Sequence, residues 1–166
     1  MVRPKDKMST EIFTQTVSST TVRWLLRFLV PLGGHRGFLL EGGFGRDGLA
    51  QVLGLLPEVE VQEAKFNRVA ELARLRQLHQ EVEAQVIEPE TDGYLARNIE
   101  RLRELVGLSD VDCQILAFMV RLNGERVLDD AADCLGFLNT SKALHALAVL
   151  LDLTEQQVRE ALRDSA

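Results

Sequence analysis

The side chains best suited to metal binding or proton transfer are three histidines, His35, His79 and His145, spread widely along the chain. A zinc site or a general base needs a second His, Cys or carboxylate close by, commonly at i+3 or i+4 on one helix face. Only His79 has such a neighbour, Glu83, and that pair falls on what reads as a solvated helix. Cys113 and Cys134 are the only cysteines. Both stand among apolar residues with no partner at ligand spacing, so they read as buried free thiols of a reducing compartment. Asp129, Asp130 and Asp133 cluster without the spacing of a calcium loop. No strand-to-helix turn presents a serine nucleophile. The stretch Gly42-Gly43-Phe44-Gly45-Arg46-Asp47-Gly48 is glycine-rich. A phosphate loop would end in Lys followed by Ser or Thr and would follow a strand. Arg46 and Asp47 stand there instead, so the stretch reads as a turn. The sequence therefore assigns no catalytic, cofactor-binding or metal-binding residue.

Binding is the remaining kind of chemistry. The net charge is −6, and the acids concentrate in the second half. That half should repel a phosphate backbone. Its acids read as solvated helix faces or, more pointedly, as a site for a basic protein partner. Glu125, Asp129, Asp130 and Asp133 are the residues for such a site. A helix-turn-helix over Asp129 to Leu151, with Ala132 in its first helix and Gly136 at the turn, is the alternative, and it would make the chain a DNA-binding regulator. Its second helix offers only Lys142 and His145 as polar contacts, whereas a recognition helix needs several donors on an open face. Nucleic acid is therefore the less favoured partner.

The elements that must carry these residues are helices. The chain has 166 residues, 46% apolar and 27% charged, with one Trp, one Tyr and seven Phe. A core made mainly of Leu, Val and Ala suits helices packed on helices. Strand signals are almost absent, so the expected fold is all-α, a multi-helix bundle of two small subdomains. The first spans 1–88. It holds an apolar helix carrying Val22, Trp24, Leu25, Leu26, Phe28 and Leu29, ended by Pro31 and Gly33-Gly34. A short helix follows, Leu49 to Leu53, and then a long helix over about 62–86. Phe66, Val69, Ala73, Leu75, Leu78, Val82 and Val86 mark the apolar side of that long helix. Pro89 and Gly93 make the boundary.

The second subdomain, 94–164, reads as five short helices. Leu95, Ile99, Leu102, Leu105 and Val106 form a stripe on the first. Gly107 stops it, and Ser109 with Asp112 caps the next. That next helix, Val111 to Val120, is apolar nearly all round, so the pattern predicts a central pillar enclosed by its neighbours. Thr154-Glu155-Gln156-Gln157 is a capping box before the last helix, with Leu153 and Val158 placed as a hydrophobic staple. The longest apolar run, Trp24 to Leu32, is interrupted by Arg27 and Pro31. It falls short of the ~20 residues that a membrane span needs. Together with the polar start Met1–Thr10, this leads to an expected cytoplasmic location.

Two blocks resemble a known family. One is Trp24-Leu25-Leu26-Arg27-Phe28-Leu29-Val30-Pro31-Leu32-Gly33-Gly34-His35, followed by the Gly43-Phe44 turn and Leu49 to Leu55. The other is Leu95-Ala96-Arg97-Asn98-Ile99, then Leu105 to Ser109 and Ile115-Leu116-Ala117-Phe118. With the ending Leu150 to Leu162, they resemble the helical region that precedes the ATPase module in a group of bacterial AAA-type ATPases. The resemblance implies an amino-terminal portion of a larger ATPase. The phosphate loop, acidic magnesium motif and arginine finger of the motor are absent from these residues, so the resemblance implies no ATP chemistry in this part. It implies a role in recruiting a protein substrate or adaptor, or in ring assembly, with any oligomer built through the ATPase module. It carries over no site residue.

Overall fold

The computed structural model describes residues 17–57, 65–89 and 93–164. Among them are nine helices and no strand, so the fold is an all-α multi-helix bundle. The helices are α1 (Ser19–Leu29), α2 (His35–Phe38), α3 (Asp47–Val52), α4 (Arg68–Ala84), α5 (Tyr94–Val106), α6 (Asp110–Gly124), α7 (Arg126–Asp133), α8 (Thr140–Leu151) and α9 (Glu155–Asp164).

The central element is α1. Ser18 caps it by accepting the Thr21 amide at 3.2 Å. Trp24, Leu25, Leu26, Phe28 and Leu29 are all buried, so this short helix meets neighbours on nearly every side. It packs on α2, α4, α7 and α8. The sequence points instead to α6 as the enclosed pillar, and the structure corrects this. Only Ile115 and Phe118 of α6 are buried, while Met119 and Val120 are exposed. An all-round apolar pattern permits enclosure but does not compel it, and here one side of α6 has no neighbour.

The chain leaves α1 through a tight passage. The Gly34 amide donates to the Phe28 carbonyl at 2.9 Å, and a Cβ on Gly34 would stand 2.6 Å from that oxygen. A Cβ on Gly37 would stand 2.6 Å from the Cys134 carbonyl oxygen. Gly34 thus lets the chain fold back tightly on the end of α1, and Gly37 lets α2 lie directly on the end of α7. The glycine-rich stretch then forms the turn that its sequence suggests. The Leu40 amide bonds to Gly43 O at 2.9 Å and the Gly45 amide to Phe38 O at 2.7 Å.

For the long helix, residues 62–64 lie outside the described residues, and 65–67 are not helical. α4 begins at Arg68 because the Asn67 side chain accepts the Val69 and Ala70 amides at 3.1 and 3.2 Å. Its packed side is narrower than the apolar spacing suggests. Leu75 is buried with Leu72, Leu78 and Val82 beside it, whereas Val69 and Val86 are exposed. This stripe lies against α1.

In the second half the five helices and their caps follow the sequence. Ser109 and Asp112 form a reciprocal capping box, with bonds of 2.9 and 3.1 Å. Thr154 and Gln157 form another, at 2.9 and 3.1 Å. Arg103 reaches Asp110 at 2.7 Å, tying the end of α5 to the start of α6 across Gly107. The main apolar cluster joins Leu25, Phe28 and Trp24 to Phe118, Leu128, Ala131 and Leu150. It therefore draws on both sides of the 89–93 boundary. Trp24 meets Phe118 edge to face at 5.0 Å between ring centres. A smaller cluster of Ile115, Ala148, Val158 and Ala161, with Leu153 against it, holds α9 to α6 and α8.

Candidate functional site

Two surfaces have the form of binding sites. The first is an uncovered apolar face. α5 carries an apolar stripe, but it packs chiefly on α6, so only the Ile99 end is buried. Leu105 is 80% exposed and Val106 67%. Leu108, two residues on, lines a groove of about 220 Å³ between α6 and α9, together with Leu116, Met119 and Leu162. Exposed apolar side chains thus end α5, and the chain enters an apolar groove between α6 and α9 two residues later. Patches of this kind on otherwise polar proteins mark contact sites.

The second surface is a cleft of about 410 Å³. Its apolar lining comes from Trp24 of α1, Leu95, Ala96 and Ile99 of α5, Ala117 of α6 and Leu150 of α8. Arg23, Arg27 and Arg121 line it as well. Arg27 is 13% exposed in its side chain. It forms a two-pronged contact with Glu83 at 2.7 and 3.0 Å and donates to the Leu150 carbonyl at 2.7 Å. Arg23 donates through Nη2 to the carbonyls of Val82 and Gln85, at 2.9 and 2.6 Å. Guanidinium groups thus satisfy the carbonyl ends of α4 and α8, where the helix dipole favours positive charge. Arg121 lies over the Trp24 ring, 5.7 Å from its centre, and donates to Ser18 Oγ at 3.0 Å. The Arg27 hydrogen bond holds the Glu83 carboxyl below its usual range against an opposing effect of burial.

The acidic residues do not form one open face. Glu125 turns inward, accepting from Thr21 Oγ1 at 3.0 Å, where it balances the buried hydroxyl and the nearby Arg121. Asp133 contacts Arg46 at 3.3 Å. Asp129 is exposed and Asp130 half-buried. The cause of the split is positional: Glu125 precedes α7 and faces α1, while the three aspartates lie along α7.

The histidines stay apart. His79 does meet Glu83, at 3.4 Å, but the third member is Arg27, which the spacing did not announce. His145 Nδ1 lies 3.0 Å from Glu155 Oε1, linking α8 to α9. Burial, and then Arg36, Arg76 and Arg68, lower the pKa of His35. Burial raises the thiol pKa of both cysteines, which disfavours the reactive thiolate. Among the described residues, no three His, Cys, Asp or Glu side chains converge as a metal set. The exposed residues of α8 are Thr140, Ser141, Lys142 and His145, with one Lys and no Arg among them. No helix of the described residues is long and apolar enough to cross a membrane.

The arginines of the cleft are the residues that motif reading missed. Their signal lies in the spacing: Arg23 and Arg27 stand four apart in the otherwise apolar stretch Val22–Leu29, which puts both on one helix face. Comparisons with protein-family models, with curated protein sequences and with solved structures gave no match.

Proposed function

We propose that this chain is a non-catalytic helical recognition domain, the amino-terminal portion of a AAA-type ATPase, which takes a protein partner as substrate or adaptor or helps assemble the ring. The observation that carries the reading is the uncovered apolar stripe of α5, Leu102, Leu105 and Val106, followed in the chain by Leu108 in the α6–α9 groove. Apolar surface left out of the bundle gains free energy only when something covers it, at about 25 cal/mol per Å². A protein partner with an apolar helix face fits a groove of this shape. The ATPase parentage rests on the resemblance of Trp24–His35 and Leu95–Phe118 to the helical region ahead of such motors. A cytoplasmic site of action goes with it.

Two experiments bear on the two parts. The reading frame downstream of Ala166 tests the parentage. A phosphate loop encoded there agrees with it, and a frame without one contradicts it. A double substitution, Leu105→Glu with Val106→Glu, tests the surface. Both positions are exposed, so unfolding free energy should change by no more than about 0.5 kcal/mol. Affinity for the partner purified with the intact protein should fall at least tenfold in calorimetry. Unchanged affinity would remove α5 from the account.

A further inference from the structure

The cleft between α1, α5, α6 and α8 has no role in the docking reading above, yet it is built like a small-ligand site. Its volume, about 410 Å³, lies within the roughly 300–1,000 Å³ usual for such sites. One wall is apolar and is headed by the flat ring of Trp24, which is only 8% exposed.

The inner charges are unequally matched. The charge of Arg27 is answered by Glu83. Arg121 is anchored on Ser18 and on the Trp24 ring. Arg23 differs from both. Its hydrogen bonds go to the backbone carbonyls of Val82 and Gln85; among the described residues no carboxylate pairs with it directly, and Glu83 acts on it only from beyond pairing distance. Its Nε is buried and has no acceptor among the described residues. This leaves Arg23 the least satisfied of the three guanidinium groups that line the cleft. Two carboxylates, Glu88 and Asp152, also line the cleft, and both residues are exposed. They oppose a multiply charged ligand such as a phosphate ester more than a singly charged one.

We propose that this cleft binds a small monocarboxylate on an apolar body, such as a medium-chain aliphatic acid. Its head would pair with Arg23 and its chain would lie along the half-buried Leu95, Ala96 and Ala117, beside the Trp24 ring. Trp24 is the only tryptophan of the chain, so its fluorescence reports directly on the cleft wall. The full chain is titrated with decanoate, decanol and acetate, read by Trp24 emission and by calorimetry. Decanoate should give a saturable change, with decanol at least tenfold weaker and acetate inert over the same range. Ala117→Leu fills the cleft without removing a polar contact and should weaken decanoate at least tenfold. Ala96→Leu repeats that test from the α5 wall, should the first variant fold poorly. Val69→Ser, on the exposed side of α4, should bind as the unaltered chain does. No saturable change with decanoate, equal binding of decanol, or full affinity in a folded cleft-filling variant would each overturn the proposal.

Discussion

Arg27 ties three helices together. It leaves α1, pairs with Glu83 of α4 through two contacts, and reaches the last turn of α8. Three helices therefore depend on one guanidinium. Arg27→Gln keeps some donors and loses the charge. It should lower the unfolding free energy in urea by about 2 kcal/mol, below the ~3–5 kcal/mol of a fully buried pair because Glu83 is partly solvated. Glu83 also makes stability depend on acid. Its folded pKa lies below the ordinary 4.5, chiefly through the Arg27 hydrogen bond. The stabilisation is complete above that ordinary value and is lost as pH falls through the lower, folded one. A melting-temperature series from pH 6 downward should show a steeper acid decline for the unaltered chain than for Glu83→Gln. Parallel curves would show that the pair carries no linkage. None of this was legible in the spacing of His79 and Glu83, because the decisive partner lies 56 residues away in the sequence.

Among the helices, those with local signals were the most legible. The caps at Ser109 and Thr154 can be read because their donors and acceptors lie within four residues. The end of α5 at Gly107 is local in the same way, since that residue adopts φ 74°. Which face each helix buries was less legible, because that depends on neighbours. The stripe of α5 is regular, yet Leu105 and Val106 stay in water. α6 is apolar nearly all round, yet it is not the pillar. α1, the true centre, looks like an ordinary amphipathic helix until its neighbours are placed. The same reasoning divides the acidic set: its members are close in sequence, but Glu125 faces α1 while Asp129 and Asp133 face water. The apolar side chains left over on α5 and α6 are therefore the informative departure from a sealed bundle.

At the scale of the molecule, one cluster crosses the middle of the chain. Trp24 and Phe28 come from one side of residue 89, and Phe118, Leu128 and Leu150 from the other. A fragment 94–164 keeps the small cluster around Ile115 and Val158 but loses the partners of Phe118 and Leu128. It should retain helical circular dichroism and lose a sharp unfolding transition. A sharp transition like that of the full chain would show that the second half is self-sufficient. The all-helical class was legible from composition and caps. The shared core was not, since Pro89 and Gly93 mark a break in local structure and say nothing of what packs across it.

The central claim is that the bundle leaves its α5 face uncovered in order to be covered by another protein. Photo-crosslinking in cells tests it most directly, with the reactive residue placed at Leu105 and, as a control, at the equally exposed Val69. The account predicts one polypeptide joined at 105, absent at 69, and lost when Val106→Glu is added. Labelling at 69 as strong as at 105, or none at 105 in a folded chain, would contradict it.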